Sequence, residues 1–412
     1  MNINKCFTTV LALAFTVSPA LAQNHWVASW GAGSVTSSPA TQDTNPPNGN
    51  TYRNITHMSL GGSQVRLTLS NRFGVDPLTI DDVSVAVSNG ADAIKPATLQ
   101  SATFGANNRA SVTIQPGDTV FSNPVSIDFA AQADLAVSIH VPHQTITYYT
   151  DHPISHQTNY VCNTDQVNNT TLTNPTNFIP WHFLSAIDVQ GPAADVAIVA
   201  VGDSITDGAG QDANSSNHRW PNYLTNRLYA NGNYTNLAVV NEGIGSDRVL
   251  TDGVLNPHSG LTPSTLNRWQ PDVLARAGVK YIILLEGVND IDASVSPRGP
   301  HITAQDLING YETLITQAHN AGLIVYMATM TPAGGRSVWT TAAQTMHDDA
   351  NAWIRQDTAN GYEDGFIEFE QAVWDPSNHN QYLPAYDSGD HLHPNDAGKQ
   401  VMANAIALSL FN

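Results

Sequence analysis

Val196-Ala197-Ile198-Val199-Ala200-Val201 runs directly into Gly202-Asp203-Ser204-Ile205-Thr206-Asp207-Gly208. An unbroken apolar run of this kind marks a strand buried on both faces, as in a parallel sheet covered by helices. Gly202 allows a tight exit, and Ser204 then falls at the strand's carboxyl end. Downstream the pattern keeps alternating. A helix is expected around 220–230, a strand near 236–241 and a helix near 262–276. The strand 279–285 comes next, then a helix at 303–320 and the strand 323–327. A helix at 340–358 and a short strand near 366–369 follow. The last helix starts near 395, with Ala397, Val401, Ala405 and Leu408 at helical spacing. This alternation predicts a three-layer α/β/α fold around a parallel sheet, with chemistry outside the carboxyl ends of its strands.

Upstream, from about 25 to 190, the pattern is different. Gln64–Ser70, Val83–Val87 and Leu135–Val141 alternate polar and apolar residues, as half-buried strands do. Gly61-Gly62, Asp76-Pro77, Asn89-Gly90 and Pro116-Gly117-Asp118 punctuate them. These features predict an all-β sandwich or jelly-roll-like domain. Residues 1–22 read as a signal peptide: Lys5, an apolar stretch from Phe7 to Val17, then Ala20-Leu21-Ala22 as a cleavage site. The expected division is therefore 1–22, 23–190 and 191–412, with a secreted or periplasmic product.

Composition narrows the function. The 412 residues carry 16 basic and 35 acidic side chains, a formal charge of −19. Only 12% are charged, about half the usual roughly 25%. So acidic a chain lacks the basic footprint of a nucleic-acid binder and the basic patch that holds proteins to anionic membranes. No later segment is apolar for long enough to serve as a membrane anchor. After cleavage Cys162 is the one cysteine left, with no motif around it, and reads as a structural thiol.

Four places carry candidate chemistry. Ser204 is a nucleophile if a base takes its proton. Asn289, in Glu286-Gly287-Val288-Asn289-Asp290, can aim its amide donors at an oxyanion. The turn Asn241–Arg248 can offer a backbone N–H from Gly245 or Ser246. In Asp390-His391-Leu392-His393-Pro394, His393 has Asp390 three residues before it, the spacing of a base and its orienting acid. His391 has Ser388 at that distance. Spacing alone leaves a metal reading of Asp387, Asp390, His391 and His393 open. The order of Ser, Asn and Asp-x-x-His favours acyl transfer without a metal or other cofactor.

Taken together, Gly202-Asp203-Ser204, Gly287-x-Asn289-Asp290 and Asp390-x-x-His393-Pro394 resemble the SGNH (GDSL-type) hydrolases. Trp26–Gly31 and Val65–Gly74 are similar to secreted two-domain members of that family. The resemblance implies a flavodoxin-like α/β/α fold and a serine esterase acting on a small-molecule or carbohydrate ester. It casts Ser204, His393 and Asp390 as catalytic triad, and Ser204, Ser246 and Asn289 as oxyanion hole. Short acyl or acetyl esters are the expected substrates. O-acetylesterase, lysophospholipase and lipase activities are alternatives within the family, and a sugar-binding or adhesion protein with an inactive hydrolase domain is one outside it. The family's second block reads Asn-x-x-x-x-Gly, whereas here the sixth position is Ser246, after Gly245. A left-handed backbone at that position would strain a serine.

Overall fold

The computed structural model describes residues 25–37, 49–210, 214–254, 261–296, 299–357 and 364–412. The expected signal peptide, with Lys5 and Cys6, lies outside them. Among the described residues no helix is long and apolar enough to cross a membrane.

An all-β region of antiparallel sheets precedes an α/β region with a parallel sheet. In the first antiparallel sheet His25–Gly31 pairs with Leu184–Gly191, which pairs with Gly62–Ser70. In the second, Asn50–His57, Asp134–Val141 and Asp82–Val87 are neighbours. Val65, Leu67 and Leu69 of the first sheet share one apolar cluster with Val83, Val85, Val137 and Ile139 of the second. The strands near 83–87 and 135–141 depart from expectation, because they are buried on both faces. Their serines are covered and bonded: Ser84 Oγ donates to the Val167 carbonyl (2.8 Å), and Ser138 Oγ accepts from Arg53 Nε (2.8 Å). Ile55, Ala86, Ile94 and Ala136 form a small second cluster on that outer side.

The parallel sheet has five strands: Val196–Gly202, Leu237–Gly243, Val279–Leu285, Ile324–Ala328 and Gly365–Ile367. Their spatial order is second, first, third, fourth, fifth, which is the flavodoxin-like order. Odd and even residues of the first strand feed two different cores. Val199 and Val201 meet the helices Val288–Val295 and Ala304–Asn320, while Ile198 and Ala200 meet Trp220–Asn231 and Asp396–Ala405. The second strand is an edge, and the β region covers it. Ala238 and Val240 join the β region's own cluster, and Ser59 Oγ accepts the Val239 N–H at 2.8 Å. Covering an edge in this way removes a template for aggregation.

Two helices differ from their predicted form. The helix expected over 262–276 is Thr265–Trp269 followed by a π turn, Gln270–Leu274, which contains Pro271. Proline has no N–H for an i−4 bond, so the register widens there. The last helix buries Gly398, Lys399, Met402 and Ala403, not the face of Ala397 and Ala405, which is exposed. The larger Met402 decides the packing, and Lys399 turns inward because its ammonium finds the Gly208 carbonyl at 2.8 Å.

Candidate active site

Register brings the site together. Gly202 lies opposite Gly243 on one side and Leu285 on the other, so three strands end at one level. Each end turns sharply into a block of polar residues. After Gly202 the chain enters a one-turn helix, Ser204–Asp207, capped by Asp203, whose Oδ1 accepts the Ile205 N–H at 2.8 Å. A Cβ on Gly243 would lie 2.3 Å from the Asp207 nitrogen, so this close approach needs glycine. Gly287, at φ +128°, starts the helix Val288–Val295, and a side chain there would strike Tyr311.

The loop 386–395 supplies the facing wall. Its base is closed by Ser388 N–H to His393 O (3.0 Å) and Asn395 N–H to Tyr386 O (2.8 Å). Inside it, Asp390 Oδ1 accepts from the N–H groups of Leu392 and His393, both at 2.9 Å, and from Ser388 Oγ at 3.0 Å. Its Oδ2 lies 2.6 Å from His393 Nδ1. Partial burial works to raise Asp390, but the bonds from His393 and Leu392 outweigh it and hold the carboxyl well below the usual range. A carboxylate can only accept, so Nδ1 carries a proton and Nε2 presents its lone pair. That lone pair meets Ser204 Oγ at 2.8 Å. Hydroxyl, imidazole and carboxylate thus stand in line, which suits proton transfer from Ser204.

Asn289 donates Nδ2–H to the Asp247 carbonyl at 2.9 Å, which joins the third block to the second and leaves its other amide hydrogen unspent. Ile244 to Asp247 is a β-turn closed by Asp247 N–H to Ile244 O (3.1 Å). Ser246 is its third residue, at φ +62°, the left-handed position of a type II turn. The strain expected of a serine there is therefore present, at Ser246 and not at Gly245. The N–H groups of Ser204 and Ser246 make no hydrogen bond among the described residues, so both can serve an incoming oxyanion.

His391 is also paired. Its Nδ1 lies 2.6 Å from Asp387 Oδ2, four residues back, where the expected partner spacing was three. Each imidazole of this loop spends its Nδ1 on its own aspartate. Among the described residues, Asp387, Asp390, His391 and His393 do not gather three ligand atoms within 4.8 Å. Cys162 is buried, and burial pushes its thiol up to about 11, as an inert structural thiol requires.

Several supporting residues carried no pattern in the sequence. Arg268, fully buried, donates to the carbonyls of Glu242 (2.6 Å) and Gly202 (3.2 Å) and to Asp247 Oδ2 (2.7 Å), stitching two strand ends together. Around it lie Asp203, Asp247, Glu286 and Asp290. Burial pushes Asp203 and Asp290 up to about 7 and Glu286 well above its ordinary value. Both Glu286 oxygens are buried without a partner, as suits a carboxyl kept neutral. From the β region, His152 Nδ1 meets the Gly33 carbonyl at 2.7 Å, and its Nε2 meets Asp207 Oδ1 at 3.1 Å and the Ile154 carbonyl at 3.2 Å. Both ring nitrogens face acceptors, so both carry protons. Burial would lower His152, but Asp207 more than offsets it and the net shift is upward. Arg219 completes the clasp, donating to the carbonyls of Asp207 and Ser155.

Residues 200–401 match the model of the GDSL-like lipase/acylhydrolase family. This segment belongs to that family. No curated protein matches the chain. Among solved structures, the chain is similar to an α/β hydrolase from the metagenome of Lake Arreo, at 21% identity over 51% of this chain and 92% of that one, with a TM-score of 0.39. It is similar to an acetylxylan esterase from Geobacillus stearothermophilus, at 19% identity over 51% and 91%, TM-score 0.39. A GDSL-like lipase from Bacteroides thetaiotaomicron gives 18% over 52% and 87%, TM-score 0.37. The GDSL-like segment coincides with the region that holds Ser204, Asn289, Asp390 and His393.

Proposed function

We propose that the protein is a serine esterase cleaving carboxylic esters of short acyl chains. The observation that carries this is the unbroken line from Ser204 Oγ to His393 Nε2 (2.8 Å) and from His393 Nδ1 to Asp390 Oδ2 (2.6 Å). Ser204 Oγ attacks the ester carbonyl and forms the C–O bond while His393 Nε2 takes its proton. Asp390 holds the ring and offsets the imidazolium charge. The carbonyl electrons move onto oxygen, and the N–H groups of Ser204 and Ser246 with the free amide hydrogen of Asn289 receive that charge. Collapse expels the alcohol, which takes the proton from His393. Water then attacks the acyl-serine by the same route and releases the acid.

In this reading the chain is exported after loss of residues 1–22, and 23–190 and 191–412 act as two domains, the first bracing the helix of the nucleophile. Ser204→Ala tests the assignment. Hydrolysis of p-nitrophenyl acetate should fall by a factor on the order of 10⁴–10⁶, with the denaturation midpoint unchanged. Wild-type turnover in that variant would refute the assignment.

A further inference from the structure

A second polar cluster lies apart from the Ser204 line. His347, on the helix Thr341–Asp357, is fully buried. Its Nε2 is 3.0 Å from the Thr331 carbonyl. A carbonyl only accepts, so Nε2 carries a proton and Nδ1 is the nitrogen left to face the carboxylates. That Nδ1 is buried and makes no hydrogen bond. It faces Asp348 Oδ1 at 3.5 Å and Glu370 Oε1 at 3.7 Å. One nitrogen and two carboxylate oxygens converge here, all within 4.8 Å of one another. A buried ring nitrogen facing two carboxylates calls for a positive charge between them, a proton or a metal ion.

We infer that His347 Nδ1, Asp348 Oδ1 and Glu370 Oε1 form a site for a divalent cation of the zinc class. Ligands bound at about 2.1 Å around a tetrahedral ion stand about 3.4 Å apart, close to the two separations here. The surroundings match what metal ligands need. The second ring nitrogen of His347 is anchored on a backbone carbonyl, which fixes the tautomer. Arg355 Nη2 holds the other oxygen of Glu370 at 2.5 Å and so orients that carboxylate from behind, and Gln344 Nε2 donates to Asp348 Oδ1 itself at 2.7 Å, which fixes the ligand oxygen in place. Asp348 is more than half exposed, which leaves an open side for a water as fourth ligand. An imidazole with two carboxylates suits zinc better than magnesium or calcium, which prefer oxygen alone.

The site has a structural use. Thr331 follows the fourth parallel strand and Glu370 follows the fifth, so the ion ties the helix Thr341–Asp357 to two strand ends. It takes no part in the ester chemistry and stands whether or not Ser204 is the nucleophile.

The test uses the full chain, stripped with a chelator and titrated with Zn²⁺ by equilibrium dialysis with metal analysis. One zinc per chain is expected, with a higher melting temperature in Zn²⁺ than in chelator or Mg²⁺. Asp348→Asn, at an exposed position that should not disturb folding, and His347→Gln should each weaken binding by roughly 10–100-fold or more. His391→Ala should bind zinc as the wild type does, which separates this cluster from the loop 386–395. Absence of zinc binding would overturn the inference, as would binding that Asp348→Asn leaves unchanged. Nitrogen NMR showing both His347 ring nitrogens protonated with Zn²⁺ present would also overturn it, since a proton would then fill the gap.

Discussion

His393 and His152 each meet an aspartate, at the two ends of the helix Ser204–Asp207, yet the two pairs are built differently. His393 and Asp390 are three residues apart in one loop, and Asp390 is half exposed. His152 and Asp207 are 55 residues apart, come from the two halves of the chain, and are almost wholly buried. The first ring has one proton and one lone pair, so it can accept from a hydroxyl. The second faces acceptors on both sides, holds two protons and cannot act as a base. A histidine beside an aspartate is thus a base or a brace according to what its second nitrogen faces.

Removing the acid from each pair exposes the difference. Asp390→Asn should leave folding intact but lower kcat by about 10⁴-fold, because the amide no longer fixes the His393 tautomer. A loss below tenfold would show that Asp390 only supports the loop. His152→Gln should act chiefly on stability, by about 3–5 kcal/mol, because Asp207 is left buried without its charge partner. Adding Asp207→Asn should recover part of that loss, and urea denaturation of the single and double variants reads it. The brace also has a pH limit. The His152 shift is upward, so its contribution is complete below the ordinary value of 6.5 and fades as pH rises above it.

The buried carboxyls beneath the site give a smaller effect. Asp203 is raised from 3.8 to about 7, so its favourable share is present below about 4 and is lost as pH climbs to about 7. Asp203→Asn keeps the helix cap and should flatten the fall in denaturation midpoint across that interval. An unchanged slope would mean that Asp203 is ionised throughout. Smallest of all, Ser246→Gly should relieve the left-handed serine and add about 1 kcal/mol of stability, with esterase activity retained.

The same contrast explains what could be read from the sequence. The parallel strands announce themselves because burial on both faces forces unbroken apolar runs such as Val196–Val201. The Ser204, Asn289 and Asp390–His393 blocks are legible because each is local and sits at a strand end. Arg268, Lys399, His152 and His347 are not. Each is a polar residue buried by partners far away in the chain, and no periodicity marks it. The last helix differs from its expected face for a related reason: small alanines mimic an apolar stripe, while the true face includes Lys399. The serines of Asp82–Val87 and Asp134–Val141 signal a wet face, but neighbouring segments cover it.

That Ser204 is the nucleophile is tested by the intact mass of the protein after exposure to a fluorophosphonate, with the adduct mapped by peptide. One adduct per chain is expected, on Ser204, absent in Ser204→Ala and strongly slowed in His393→Ala. An adduct on another residue, or none on an intact fold, would contradict it.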